Sequence, residues 1–357
     1  MCTREPRRVD YVGGNCSTRI LREVKDAASA WDLGRILTCR RATRGVVNRN
    51  FILGTTDGKY VLRQVSRAHH HTPRDLEFEL AYLDYLKHAG FSYEIPAAIA
   101  TTKGSLFVTV QGHYYWLYKF LEGSVVEKLD ESRLAQLAKM MAEYHLLIER
   151  SALNNGKPAS DLYNTSATLK EIEEHRTEIL RKNKINRNER TLIDEAAKMI
   201  LILRDFDDGP DQKPRLYPIH RDLISENLVW KQDKLAGVID FEHVSGTNDP
   251  VIKDIAVTMQ YCCRDRRVQH QLGIGSAKQF LQSYTEYHPL SNGDIALIPD
   301  LMTAGFLDDF AFALWMLRND PDRAKRSEAD GYGPTLFSKA AQWSHANRER
   351  ISQALLK

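Results

Sequence analysis

His220-Arg221-Asp222-Leu223-Ile224-Ser225-Glu226-Asn227 carries all five fixed residues of the eight-residue pattern H-R-D-L-x-x-x-N. The spacing has a chemical reason. Moving a phosphoryl group takes one carboxylate to accept the proton of an attacking hydroxyl and, a few residues on, an amide oxygen to hold a metal ion beside the phosphates. Asp222 and Asn227 stand in those two places. A helix or strand would aim the two side chains differently, so the segment is expected as a loop. The bland reading is a surface turn capped by an Asp and an Asn. It loses ground to the segment Leu235-Ala-Gly-Val-Ile-Asp240-Phe241-Glu242, an apolar strand ending in a carboxylate 18 residues after Asp222. Asp240 is placed as a second metal ligand, and Mg²⁺ held by Asn227 and Asp240 would supply positioning and charge neutralisation. Further on, Asp254 in Asp254-Ile255-Ala256 reads as a structural tether for the loop.

Working outward, the 357 residues are 43% hydrophobic and 27% charged, which fits a globular protein of about two domains and excludes disordered and fibrous classes. The longest apolar run, Phe310 to Leu317, is far short of the roughly 20 residues of a membrane span, and the mean hydropathy of -0.44 agrees. Arg4, Arg7 and Arg8 are followed by Asp10, Gly13, Gly14 and Asn15 without an apolar stretch, so no secretory signal is read and a cytoplasmic location is expected. Five cysteines (Cys2, Cys16, Cys39, Cys262, Cys263) form no C-x-x-C pair, and reduced thiols are expected. Fifty Lys and Arg against 47 Asp and Glu give +3, too slight an excess to indicate nucleic acid.

The pattern before the loop is strand-rich. Asp57-Gly58 turns a hairpin between the runs from Asn50 and to Val65, and Gln111-Gly112 turns a second one within 105–120. Between them, Leu76, Leu80, Leu83 and Leu86 predict a helix over 73–89, closed by Gly90. After Gly123 the character turns helical: Asp130 caps a helix lined by Leu134, Leu137, Met141, His145 and Ile148, and two long charged helices flank the basic turn from Arg181 to Arg187. The division read from this is an N-terminal extension over 1–35, a strand-rich lobe over 36–122 and a helical lobe over 123–357.

Over about residues 36 to 318 the chain resembles the aminoglycoside phosphotransferase, choline kinase and homoserine kinase group of small-molecule kinases. The resemblance implies an α+β, protein-kinase-like two-lobed fold, with a small antiparallel-sheet N-lobe and a larger helical C-lobe. Protein kinases share the catalytic loop, but Asp240-Phe-Glu stands here for D-F-G and no A-P-E segment comes after it. ATP and Mg²⁺ are the implied cofactors, a small-molecule hydroxyl the implied acceptor, and Asp222 the catalytic base. Gly45 and Asn48 fall in the phosphate-covering loop. Val61 would roof the adenine and Arg63, where the family has Lys, would reach the phosphates, with Lys59 as a fallback. Glu79, in competition with Glu77, would partner that cation. Backbone groups of Lys119 and Leu121 would pair with the adenine edge.

At the second loop position the group usually has Gly; Arg221 is either neutral variation or an extra charge near the substrate. Acceptor specificity is expected around Asp249, Asp308, Asp309, Phe310 and Trp315, although Asp308 and Asp309 also suit the wet side of a helix. His145 reads as a core histidine and His69-His-His71 as a solvated loop. The rival readings are a catalytically inactive nucleotide-binding regulator of the same fold, suggested by Arg63 and Arg221, and a nucleic-acid binder resting on the Arg181 to Arg190 turn.

Overall fold

The computed structural model describes residues 12–15, 18–42, 48–65, 72–157, 161–206, 214–329 and 331–357. They form two compact units. One comprises the chain up to Lys128 with Leu147–Asn155 and Ser225–Gly246; the other comprises Leu129–Leu146, Gly156–Ile224 and Thr247–Lys357.

The first unit is built on a six-stranded sheet in the order β1-β2-β3-β4-β6-β5, every neighbouring pair antiparallel. Its strands are β1 (Val12–Asn15), β2 (Ile36–Ala42), β3 (Arg49–Thr55), β4 (Lys59–Gln64), β5 (Phe107–Val110) and β6 (His113–Lys119). Both hairpins sit where the turn residues put them. Gly54 pairs with Lys59 around Asp57-Gly58, and Val110 pairs with His113 around Gln111 and Gly112, both at positive φ as a tight two-residue turn requires.

Helix α1 (Thr18–Ala28) covers one face of this sheet. Its Val24, Ala27 and Ala28 sit at helical spacing and, with Trp31 and Leu33, share a core with Phe51, Leu53, Leu62, Tyr115 and Leu117. Burying a side chain such as Leu53 or Leu62, both 0% exposed, contributes about 1.5–3 kcal/mol. Val24, Ala27 and Ala28, which fall within 1–35, are therefore part of the unit's core.

Helix α2 (Pro73–His88) begins at a capping box between Thr72 and Asp75 and ends as the sequence indicated, with Gly90 at φ 85 and the Phe91 N–H returning to the Leu86 carbonyl at 3.1 Å. The hairpin of β7 (Leu228–Lys231) and β8 (Lys234–Val238) belongs to this unit as well. It is stitched on by the Ser124 and Trp230 backbones, which exchange hydrogen bonds of 2.9 and 2.8 Å, and by Glu94, whose N–H reaches the Ala236 carbonyl at 2.9 Å. Gly123 permits that approach: at φ 148, any Cβ would lie 2.7 Å from the Trp230 carbonyl oxygen. Residues 225–246 thus belong to the same compact unit as the sheet.

The second unit is helical. Helix α3 (Glu131–Arg150), of which residues through Leu146 count here, starts at Asp130, whose Oδ1 accepts the Arg133 N–H at 2.9 Å. Helices α4 (Thr165–Leu180) and α5 (Arg187–Arg204) come next, then α6 (Val251–Cys262), α7 (Ile274–Thr285), α8 (Asn292–Asn319), α9 (Pro321–Ala329), α10 (Pro334–Ala346) and α11 (Arg348–Leu355). Helix α8 is the central packing element, with Leu307, Phe310 and Leu314 fully buried along it. Among the described residues no helix is long and apolar enough to cross a membrane. Cys39, Cys262 and Cys263 are free thiols.

Candidate active site

In the sheet unit the candidate residues come from β3, β4, α2 and the segment after β8. Alternation along β4 sends Leu62 into the core under α1 and leaves Val61 and Arg63 on the opposite face, both buried. Arg63 lies opposite Asn50 on β3 and Trp116 on β6, with its guanidinium 6.0 Å from the Trp116 ring centroid. Its Nη2 donates to Asp240 Oδ1 at 2.6 Å and to Glu242 Oε2 at 2.9 Å. The Asn48 amide donates to the same Glu242 oxygen. Burial works against the Arg63 charge, but Asp240, Glu79 and Glu242 outweigh it and raise its pKa above the ordinary value. Lys59 is committed elsewhere, its Nζ 3.5 Å from Glu122 and over the Phe120 ring at the surface.

On α2, Glu79 is buried and Glu77 exposed. Burial pushes the Glu79 carboxyl up to about 7, with the Arg63 charge acting in the opposite sense. The direct ion pair between them is not formed. Among the described residues Glu79 Oε1 and Arg63 Nε are both buried without a hydrogen-bond partner, because the two carboxylates of Asp240 and Glu242 claim the guanidinium. Asn48, read as a phosphate-loop residue, anchors Glu242 here. Gly45 and His69 to His71 lie outside the described residues. Lys119 closes β6 opposite Tyr60, and the Phe120 N–H reaches the Lys59 carbonyl at 2.9 Å before the chain leaves the ladder at Leu121.

Asp240 holds φ 70, a left-handed conformation that a non-glycine residue adopts at a cost of about 1–3 kcal/mol and that concentrates at functional positions. The Ile239 N–H donates to the Asn227 carbonyl at 3.0 Å, which brings the short 3-10 turn Ser225–Asn227 beside the residue before Asp240. Among the described residues no three His, Cys, Asp or Glu side chains form a closed metal cage. Mg²⁺ does not ask for one: it binds through one or two carboxylates and takes its other ligands from water and phosphate. Asp240 and Glu242 already converge on a single cationic group, and these hard oxygen donors fit that ion. Glu242 was missed as a site residue on sequence, although Asp240-Phe-Glu242 displays its two acids at alternate positions.

In the helical unit the first half of the motif is fixed from behind. The Asp254 carboxylate, 0% exposed, accepts the backbone N–H of His220 at 3.1 Å and of Arg221 at 2.5 Å. His145 lies 3.3 Å from the same carboxylate through Nε2 and 2.8 Å from the Tyr284 hydroxyl through Nδ1. The tether read from sequence is in place, and the core histidine braces it. One turn along α6, Thr258 Oγ1 donates to the Leu223 carbonyl at 2.8 Å. Between these anchors Asp222 is presented at a partly exposed position.

Arg221 also holds a left-handed backbone, at φ 63, where glycine would be free of strain. Its guanidinium bonds the Thr247 carbonyl at 2.6 Å and the fully buried Asp249, which Lys253 also engages at 3.2 Å. Arg221 is thus a tie between two loops, and Asp249, expected to face an acceptor, is its internal counter-ion. Phe310, 0% exposed, is core instead of site. Trp315 stacks on Phe312, their rings 5.8 Å apart. Asp308 and Asp309 are not a wet helix face: Asp308 accepts from Thr168 and from Asn164, and Asp309 from Gln260 and Tyr261. Burial raises their pKa to about 6 and about 7 respectively.

Comparison with known proteins places this geometry. Residues 38–290 match the model of the phosphotransferase enzyme family. A homoserine kinase of Bradyrhizobium sp. strain BTAi1 is 26% identical over 277 residues, 78% of each chain. One from Rhizobium etli strain CIAT 652 is 25% identical over 311 residues, 86% of this chain and 89% of its own. Among solved structures, spectinomycin phosphotransferase in complex with ADP and spectinomycin superposes with a TM-score of 0.67 at 15% identity, covering 94% of this chain and 99% of that one. The microcompartment-associated aminopropanol kinase gives 0.60 at 18% identity, with the same coverage. The fold is the α+β, protein-kinase-like one, and with the family model spanning most of its length the chain belongs to the phosphotransferase enzyme family.

Proposed function

We propose that this chain transfers the γ-phosphoryl group of ATP, with Mg²⁺, to the hydroxyl of a small polar molecule. One observation carries the reading most: Asp240 and Glu242 converge on a buried arginine, so two acids and a phosphate-binding cation are gathered in the sheet unit where the family handles nucleotide. Asp222 takes the hydroxyl proton as the acceptor oxygen bonds to the γ-phosphorus. The bond from that phosphorus to the β,γ-bridging oxygen breaks, and its electron pair leaves with ADP. Asn227 and Asp240 would hold the metal, with Glu242 beside them, and the ion would supply neutralisation of the phosphate charge. Arg63 reaches the phosphates from β4, Val61 covers the adenine, and Glu79 is the buried acid that would partner the guanidinium. Gly45 covers the phosphates, Asn48 steadies Glu242, and the Lys119 and Leu121 backbones meet the adenine edge.

Small acceptors are favoured over proteins by the chain that comes after Asp240. Between it and Val251, where α6 begins, there is one 3-10 turn (Glu242–Ser245) and a short bridge at Asp249, with no length left to lay out a peptide. The homoserine kinases among its relatives bear the name of an acceptor of this size. A screen of ADP release with amino alcohols, hydroxy amino acids, sugars and aminoglycosides tests the proposal. Stimulation by at least one of these and none by casein or histone is expected; phosphate incorporated into such proteins, with every small acceptor silent, would overturn it.

A further inference from the structure

The C-terminal end of α6 and the middle of α8 build a second polar cluster in the helical unit. One face of α6 runs along the catalytic loop: Asp254 takes the loop N–H groups, Thr258 binds the Leu223 carbonyl, and Tyr261 lies one turn on. Burial, the Asp309 carboxylate and the charge of Asp222 together hold the Tyr261 phenol well above its ordinary pKa, so the base of the loop acts electrostatically on this residue. The Tyr261 hydroxyl donates to Asp309 Oδ2 at 2.6 Å, and Gln260 Nε2 donates to the same oxygen at 2.5 Å. Gly305 lets the two helices approach this closely, because a Cβ there would run into Gln260 Oε1.

Arg264 sits among three rings of this cluster. Its guanidinium carbon is 4.9 Å from the Tyr261 centroid, 5.7 Å from that of Tyr332 and 5.9 Å from that of Phe306. Nε donates to the Gln260 carbonyl at 2.8 Å, while Nη2 is buried with no hydrogen-bond partner among the described residues. Arg221 and Arg318 in the same unit each have a carboxylate within reach. Arg264 forms no ion pair among the described residues and meets Asp309 only at longer range, although a planar fork of N–H donors matches a carboxylate in shape and charge. Asp309 accepts through Oδ2 alone.

Resting on the phosphotransfer reading above, the geometry points to Arg264 as the specificity residue for an acceptor that carries a carboxylate. Its guanidinium clamps that group, Asp309 receives the acceptor's ammonium, and the hydroxyl is left for Asp222. The acceptor class is a hydroxy amino acid. An ammonium beside Asp309 would return that carboxyl, held at about 7 by burial, to its charged form. A polycation lacking a carboxylate meets Arg264 as a repulsive charge, so the same residue selects against aminoglycosides.

The test compares L-homoserine with 3-aminopropan-1-ol, which keeps the hydroxyl and the ammonium and lacks the carboxylate, in the wild type, Arg264→Met and Arg264→Lys. Expected are a wild-type preference for homoserine and a rise in its KM of about 10- to 100-fold in Arg264→Met. Arg264→Lys should recover part of that rise, and kcat/KM for the aminopropanol should fall at most about threefold. Calorimetric titration of homoserine into both proteins gives a second readout without turnover. ADP release that favours the aminopropanol or an aminoglycoside, or a loss in Arg264→Met shared equally by both acceptors, overturns the carboxylate clamp and leaves the kinase reading standing. Arg264-dependent binding of homoserine with no ADP release from any acceptor sustains the clamp and overturns the kinase reading. Silence in both readouts overturns both.

Discussion

In the sheet unit the candidate carboxylates face a charge: Asp240 and Glu242 converge on the Arg63 guanidinium and Asn48 holds Glu242 in line. In the helical unit the buried carboxylate of Asp254 faces backbone, accepting the N–H groups of His220 and Arg221 while His145 and Tyr284 stand behind it. One arrangement is a set of acids gathered around a cation, and a second cation on phosphate can compete for them. The other is a hydrogen-bonded brace whose members have no reason to let go. Asp222 follows the braced residues and Asp240 belongs to the charged set, so substitutions in the two units should fail differently.

The largest effect is expected at Asp222. Asp222→Asn should lower acceptor-dependent turnover by about 10²- to 10⁴-fold while MgATP affinity, measured calorimetrically, stays within about threefold. Asp240→Ala should break the other side: MgATP binding itself weakens by at least about tenfold, and omission of Mg²⁺ makes little further difference. Equal nucleotide affinity in the two variants would erase the distinction drawn between the units.

Next is the brace. Asp254→Ala leaves two N–H groups and a histidine without their acceptor, so a loss of about 3 kcal/mol in unfolding free energy and of about tenfold or more in turnover is expected, with MgATP affinity little changed. At Arg63, Lys should retain activity to within about tenfold and Met should not, since the positive charge is the requirement; Glu79→Gln should cost less than Arg63→Met. Normal turnover in Arg63→Met would mean that another cation serves the phosphates.

The smallest effect is a pH dependence at Asp309. Its carboxyl is raised from 3.8 to about 7 on folding, so its contribution to stability is complete below about pH 4 and is lost as pH climbs through 7. The stability of Asp309→Asn relative to wild type should therefore grow by about 2–3 kcal/mol between about pH 5 and 8, read as urea midpoints. A difference that shrinks over that interval would show that folding favours the charged carboxylate.

Much of this was legible in the chain because local rules decided it. Asp57-Gly58 and Gln111-Gly112 dictate their turns, and the leucines of 76–86 dictate α2. What escaped depends on contacts far apart in sequence. Glu242 takes its meaning from Asn48, 194 residues away, and from Arg63, 179 residues away. Asp249 looked like an acceptor residue until Arg221 and Lys253 were found on it. The acids Asp308 and Asp309 are adjacent in the chain, yet one serves α4 and the other α6, a choice that only packing makes. Helix α1 was passed over because its stripe is short, and its burial comes from the strands that succeed it.

Transfer of label from γ-labelled ATP, with low-molecular-weight and protein fractions separated, tests the central claim most directly. The account predicts label in the small-molecule fraction, dependent on acceptor and on Mg²⁺ and reduced at least about 10²-fold in Asp222→Asn. Label confined to added protein, or transfer to a small acceptor that survives intact in Asp222→Asn, would contradict it.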